Sequence, residues 1–476
     1  MSNYIATIGV EVHVELKTKT KIFSNSLNGY GMGANTLTNV IDLGYPGTLP
    51  TLNKEVVDLA IKAATVLNCK IRKDMHFDRK NYFYPDNPKN YQITQAETPI
   101  GYDGYVTIEV NGEKKKIEIE EMHIEEDTCK SAHRGNVTLL DFNRAGVPLI
   151  EIVTKPCIST SEEAKLYLEK LRETLLYAGI SDCKIEEGSM RCEPNVSIRK
   201  NESDPFGTKA EIKNIGSISN VGLSIEKEIE RQSKLYDRGE TFKTQTRRFD
   251  SKLNDTVLMR IKETGNDYRY FPEPDIPYLH LTEEYIEEVQ KTIPIMPDER
   301  RKIYEEKGIS KLNADKIINH REMSDYLNKF IDTDLDFVIG SNLLLGDIAS
   351  YLNKNNKTLE QTLLTDDNFI NLVKKIKANE LTSKNVKDII EDLLERDILL
   401  DDLIKEKGIS NITDNSEILK VVTEVISRNP ESVEDYKNGH DRAIKFLMGQ
   451  VMKESHGKIN PKMAMDSLTE ELNKLK

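Results

Sequence analysis

The chain has 476 residues, 38% hydrophobic and 31% charged, with five cysteines and a formal net charge of −13. This is the composition of a globular protein of about three domains. No apolar run reaches the ~18 residues that cross a bilayer, the N-terminus lacks a basic-then-apolar secretory pattern, and the acidic balance disfavours nucleic acid unless cations are gathered locally. Cys69, Cys129, Cys157, Cys183 and Cys192 are scattered without a C-x-x-C pair. That argues against a disulfide framework or zinc knuckle and for reduced thiols in a cytoplasm.

In chain order, the first element is "IGVEVHVEL", where Ile8, Val10, Val12, Val14 and Leu16 alternate with Gly9, Glu11, His13 and Glu15. Period-two alternation predicts a strand with one apolar and one polar face. By itself such a polar face is a hydrated surface. A helix follows over 54–67, with Val56, Leu59, Ala60, Ala63 and Leu67 on one stripe. The segment "FDRKNYFYPDNPKNYQITQ" gathers Lys80, Tyr82 and Tyr84 among prolines, as a loop over a pocket or a tyrosine-rich core edge. "YVTIEVNGEKKKIEIE" turns at Asn111-Gly112, a strong hairpin signal.

In "KKKIEIEEMHIEED" the apolar positions move from Ile117 and Ile119 to Met122 and Ile124. This phase change predicts a β-bulge at Glu120–Glu121, a device that re-aims side chains. Beyond it His123, Glu125 and Asp127 share the polar face. Carboxylates with an occasional imidazole suit Mg²⁺ or Mn²⁺, ions that clamp phosphoryl groups. "LLDFNRAGVPLIEIVTKP" turns at Gly146 and Pro148 before a short apolar strand that flanks Glu151 on both sides. A carboxylate so placed aims at a site or a partner cation, the ordinary alternative being a core strand whose Glu faces solvent.

Helices are predicted over 161–177, from the capping box Thr160-x-x-Glu163 to Gly179, and over 221–236. Around them Arg191, Arg247, Arg248, Arg260 and Arg269 accompany acids in strand-like segments. Arginine offers bidentate donors to phosphate, and surface ion pairs are the ordinary alternative. Past residue 295 the pattern becomes helical, and "EKGISNITDNSE" reads as a linker. The fold class is therefore α+β: an antiparallel sheet with flanking helices over 1–294, an all-α domain over 295–405, and a small all-α tail over 411–476. No G-x-x-x-x-G-K-[ST] or G-x-G-x-x-G loop is present, nor an amidase or glutaminase signature. ATP, if used, is held through metal and arginine, and any ammonia comes from another protein.

These blocks resemble the B subunit of the glutamyl/aspartyl-tRNA amidotransferases along essentially the whole chain. "DFNRAGVPLIEI" (141–152) fits that family's D-x-N-R-x-G-x-P-L-hydrophobic-E-hydrophobic stretch throughout. "FDRKNYFYPDNPKNYQI", "KIEEGSMRCEPNVSIR", "DYRYFPEPDIP" and the ending "VEDYKNGHDRAIKFLMGQVMKESHGKINP" resemble further family blocks. The resemblance implies a cradle domain that uses ATP and Mg²⁺ to phosphorylate the side-chain carboxylate of Glu-tRNA(Gln) or Asp-tRNA(Asn). Ammonia from a glutaminase A subunit then displaces the phosphate, and a small C subunit ties the other two together in a cytoplasmic heterotrimer with no membrane role. Carried over by position, Glu11, His13, Glu125 and Glu151 are the expected catalytic metal ligands, with Glu15 undecided. Arg191 and Arg260 are the expected ATP-phosphate ligands. Lys437, Arg442, Lys445, Lys453, Lys458 and Lys462 are the expected tRNA contacts, although a solvated helix face is the ordinary fate of such lysines. Ser24, Ser26, Asn39 and Asp42 stand where many relatives carry zinc-binding cysteines, so no structural zinc is expected. Two rivals are a non-catalytic tRNA-binding scaffold and a free-standing carboxylate–amine ligase. Which misacylated tRNA is used stays open.

Overall fold

In the computed structural model, which describes residues 4–261, 267–409, 415–438, 440–455, 459 and 461–475, the alternating N-terminal segment is β1 (Ile5–Glu15). Its apolar positions Ile8, Val10, Val12 and Val14 are at most 1% exposed. Each such burial contributes ~2 kcal/mol, which fixes the register and turns Gly9, Glu11, His13 and Glu15 to the opposite face.

Two compact units divide the chain, Met1–Met296 and Pro297–Lys476. The strands of the first, in order, are β1, β2 (Lys70–Ile71), β3 (Asp74–Met75), β4 (Asp78–Asn81), β5 (Tyr91–Thr94), β6 (Gly101–Val110), β7 (Glu113–Glu126), β8 (Lys130–Arg134), β9 (Val137–Asp141), β10 (Pro148–Thr154), β11 (Met190–Arg199), β12 (Ala210–Lys213), β13 (Gln245–Asp250), β14 (Asp255–Ile261), β15 (Phe271–Pro272) and β16 (Leu279–His280). Its helices are α1 (Lys54–Val66), α2 (Ser161–Tyr177), α3 (Ile218–Asp237) and α4 (Glu283–Gln290). Nine strands make one sheet in the order β14-β13-β12-β11-β1-β10-β7-β6-β2. The pairing is antiparallel except between β12 and β13, which run parallel because α3 crosses between them. Helices α1 and α2 pack on β6, and α3 packs on β11 and β14.

The phase change in β7 is a bulge. Glu121 opposes Val153 and Ile119 opposes Thr154, so Glu120 is the extra residue. It keeps Ile117, Ile119, Met122 and Ile124 in the core, each fully buried. At α2 the Thr160 hydroxyl accepts from Glu163 N at 3.1 Å, while the Glu163 carboxylate accepts from Ser159 N at 2.8 Å and not from Thr160 N. The predicted box is thus displaced by one residue. Arg247, read as a possible phosphate ligand, is structural: with Arg231 it engages the fully buried Glu228 and ties α3 to β13 and β14.

The second unit contains twelve α-helices among the described residues, from α5 (Pro297–Glu306) to α16 (Pro461–Lys474). The apolar residues of 418–472, among them Val422, Leu447, Val451 and Leu468, form a core of their own.

Candidate functional site

Strand pairing sets the polar face of the sheet. His13 lies opposite Glu151 on β10 and Arg191 on β11, Glu151 lies opposite His123 on β7, and Glu125 opposes Leu149. The side chains converge accordingly. His13 Nε2 is 3.4 Å from Glu151 and 3.6 Å from Glu125, and His123 Nε2 is 3.2 Å from Glu151 and 3.8 Å from Glu125. Burial pushes the His13 imidazolium down, but hydrogen bonding to Glu151 and the charges of Glu151 and Glu125 prevail and raise it to about 9. His123 is likewise raised, against its burial, by Glu121, Glu125 and Glu151. Glu151 is held well below the usual carboxylate range, against burial, by the two imidazoles. The carboxylates thus favour positive charge on the two rings, and a divalent cation held in the same place would supply that charge instead.

Among the expected ligands, the structure brings His13, Glu125 and Glu151 together, with donor atoms within 4.8 Å of one another. Six-coordinate Mg²⁺ holds ligands ~2.1 Å away and thus ~3 Å apart, so His13 Nε2 needs to close by only about half an ångström on each carboxylate. Glu11 does not join them. It groups with Glu193, directly opposite on β11, and Glu211 on β12. The physical reason is that alternate strand residues stand about 7 Å apart, so neighbouring strands decide the partners. Lys213 bridges Glu193 and Glu211, leaving three carboxylates against one cation. Asn195 donates to Glu11 at 2.9 Å, while its Oδ1 is buried without a hydrogen bond. An excess of oxygen acceptors and a lone acceptor beside them fit a hard cation.

Glu15 belongs to neither group. Burial and the Asp127 charge raise it to about 7, while Arg191 and Arg144 oppose them. Arg191 reaches the same face but donates to Asp127 at 2.8 Å. Arg260 is exposed on the edge strand β14, four strands from β1 and hence about 19 Å across the sheet; the structure does not bring it to the cluster.

Sequence spacing put His123 on one polar face with Glu125, and Lys80 in a loop over a pocket, without counting either among the expected ligands, and it missed Glu193 and Glu211. The signal for His123 was present, since the bulge puts it in phase with Glu125. Lys80, on β4, faces Glu125 and Glu151, whose charges raise it against its burial. Beyond Glu11 a groove of about 250 Å³ opens between Thr7, Gly9, Asn195, Phe206 and Lys209.

The zinc-equivalent positions hold a polar network. Ser24 donates to Asp42 at 2.7 Å, and Asp42 pairs at 3.3 Å with the fully buried Lys21. In the second unit Arg442, Lys445 and Lys453 lie on α15 (Asp441–Glu454), all exposed. At 3.6 residues per turn they fall within about 80° of one another, a cationic stripe. Lys437 and Lys462 are exposed on neighbouring helices, and Lys458 lies outside the described residues.

A row of carboxylates and imidazoles along one sheet face, with a groove at one end and no glycine-rich nucleotide loop in the sequence, is the arrangement that comparison with other proteins places in a known class of catalytic domain. Residues 6–287 match the GatB/GatE catalytic domain and residues 325–472 match the GatB domain. The chain belongs to this family. It is 49% identical over 474 residues, 99% of this chain and 100% of the relative, to the B subunit of the aspartyl/glutamyl-tRNA(Asn/Gln) amidotransferase of Geobacillus thermodenitrificans. The proteins of the same description from Bacillus velezensis and Halalkalibacterium halodurans are each 48% identical over the same span. Among the described residues no helix is long and apolar enough to cross a membrane.

Proposed function

We propose that this chain is the B subunit of a tRNA-dependent amidotransferase, a carbon–nitrogen ligase with glutamine as amido donor. Its substrate is the side-chain carboxylate of Glu-tRNA(Gln), Asp-tRNA(Asn) or both. The observation that carries the reading is the cluster of His13, His123, Glu125 and Glu151 at the centre of a sheet that matches the family's catalytic domain.

The chemistry has two steps. A carboxylate is not attacked by ammonia because O²⁻ does not leave. Transfer of the ATP γ-phosphoryl group to a carboxylate oxygen releases ADP and gives an acyl phosphate. Ammonia then bonds to the acyl carbon, the carbon–oxygen bond to phosphate breaks, and phosphate and a proton are released. The first step brings two anions together and needs positive charge between them. Mg²⁺, when held by His13, Glu125 and Glu151, supplies that charge. Lys80, facing the same carboxylates, adds a cation for the transferring group. The groove beside Glu11 suits the nucleotide, with the Phe206 ring as a wall and Lys209 at its rim. Arg191 acts by holding Asp127 in place, and Arg260 has no part in the centre.

Ammonia comes from a glutaminase A subunit, and with a small C subunit the three chains form a cytoplasmic heterotrimer. The α15 stripe of Arg442, Lys445 and Lys453, with Lys437, Lys458 and Lys462, contacts the tRNA backbone. Reconstituted complex with ATP and ammonia should convert Glu-tRNA(Gln) or Asp-tRNA(Asn) to the amide. Turnover of free glutamate without tRNA would favour the free-standing ligase instead. Unchanged chemistry in His13→Ala would favour the scaffold.

A further inference from the structure

Beside the cluster stands a wall of tyrosines that the chemistry above leaves unused. The rings of Tyr82 and Tyr268 lie 6.3 Å apart at 75°, and those of Tyr268 and Tyr270 lie 5.8 Å apart at 63°. Lys80 Nζ sits 5.0 Å from the centre of the Tyr268 ring. Strand pairing brings the wall to the reacting centre: Lys80 on β4 lies opposite Gln92 on β5, whose amide donates to the Glu126 carbonyl at 2.7 Å, one residue from Glu125. The backbone is held at some expense to make it. Arg269, between Tyr268 and Tyr270, has φ +47°, a left-handed conformation that disfavours arginine. Asn81 Nδ2 donates to the Arg269 carbonyl at 2.8 Å, and Asp267 accepts from Arg269 N at 3.0 Å. Yet Tyr270 remains 46% exposed and Phe83, next to Tyr82, 86% exposed. The Tyr270 ring, braced by Tyr268 and left open to water, offers a stacking face, with Phe83 open beside Tyr82.

We propose that this wall seats an adenosine, the unpaired 3′-terminal nucleoside of tRNA that carries the amino acid. The assignment rests on the tRNA-dependent reading above. Adenosine is also part of ATP, but the groove that suits a nucleotide opens at the Glu11 end of the row. The tyrosines adjoin Glu125, where the carboxylate to be activated must arrive. An unpaired terminal base is free to stack on an open aromatic ring.

The test uses the reconstituted complex with Tyr270→Ala, Tyr270→Leu and Tyr270→Phe, whose thermal midpoints are first matched to the unsubstituted enzyme. Removing one stacking ring should raise KM for Glu-tRNA(Gln) about tenfold, leave KM for ATP unchanged, and be rescued by Phe but not by Leu. Binding of tRNA lacking its terminal adenosine should be equally weak for the unsubstituted complex and for Tyr270→Ala, since the contact is already absent. A rise confined to the ATP KM would reassign the seat to ATP and overturn the proposal. Unchanged KM for both would overturn the adenosine seat altogether. Failure of the unsubstituted complex to amidate any aminoacyl-tRNA would instead overturn the functional reading on which the seat rests.

Discussion

Replacing Glu151 by glutamine removes the charge that both imidazoles share. Its carboxylate lies 3.4 Å from His13 and 3.2 Å from His123, and both rings are raised mainly against burial by such neighbours. Raising His13 from 6.5 to about 9 corresponds to ~3 kcal/mol of preference for the charged ring in the folded state. The ring keeps 18% exposure, so this is an upper bound. A raised imidazole stabilises the fold fully below its unfolded value of 6.5, and that contribution fades as pH rises through about 9. In chelator, the unsubstituted chain should therefore lose stability across that window, and Glu151→Gln should lose much less. The assay is the midpoint of the unfolding transition of residues 1–296, followed from about pH 6 to about pH 10. Added Mg²⁺ should reverse the trend for the unsubstituted chain alone, because ligation displaces the protons. Identical pH slopes in chelator for both proteins would refute the shared-charge account.

Asp42→Ala removes the counter-ion of the fully buried Lys21 ammonium and should cost about 3–5 kcal/mol in denaturant unfolding, whereas the double change Lys21→Met, Asp42→Leu should recover only part of that loss, because the Ser24 hydroxyl and Asn39 N–H still lack their acceptor. Glu15 is raised to about 7, so its charging penalises the fold progressively between 4.5 and 7; Glu15→Gln should add up to ~3 kcal/mol above pH 7 and nothing below 4.5, measured by chemical denaturation. Deleting residues 411–476 should raise KM for tRNA far more than it slows ATP hydrolysis and should flatten the salt dependence of tRNA binding; equal losses would count against a tRNA role for the tail.

Local physics made much of the fold legible. Alternation gave β1, and the phase change in β7 gave its bulge, because buried apolar side chains tolerate no slip of register. Helix α2 spans Ser161–Tyr177 as its cap and Gly179 predict, with Gly179 at φ +71°. Non-local pairing was not legible. The parallel β12–β13 pair and the bond between Glu228 and Arg247 join segments whose sequences carry no mark of one another. The same limit divided the candidate site. Glu11 and His13 share one face of one strand, so sequence joins them. In space His13 turns to Glu125 and Glu151, while Glu11 turns to Glu193 and Glu211. Arg191 and Arg260 read alike as cations among acids, yet one adjoins the cluster and the other lies at the sheet edge.

The central claim is that the sheet-face cluster activates a tRNA-linked carboxylate. Its most direct test is transfer of the labelled γ-phosphoryl group of ATP to Glu-tRNA(Gln) by the reconstituted complex in the absence of ammonia. The account predicts a label on the aminoacyl group that ammonia discharges as the amide, and its loss in His13→Ala and Glu125→Gln while tRNA binding persists. Full labelling in both variants would contradict it.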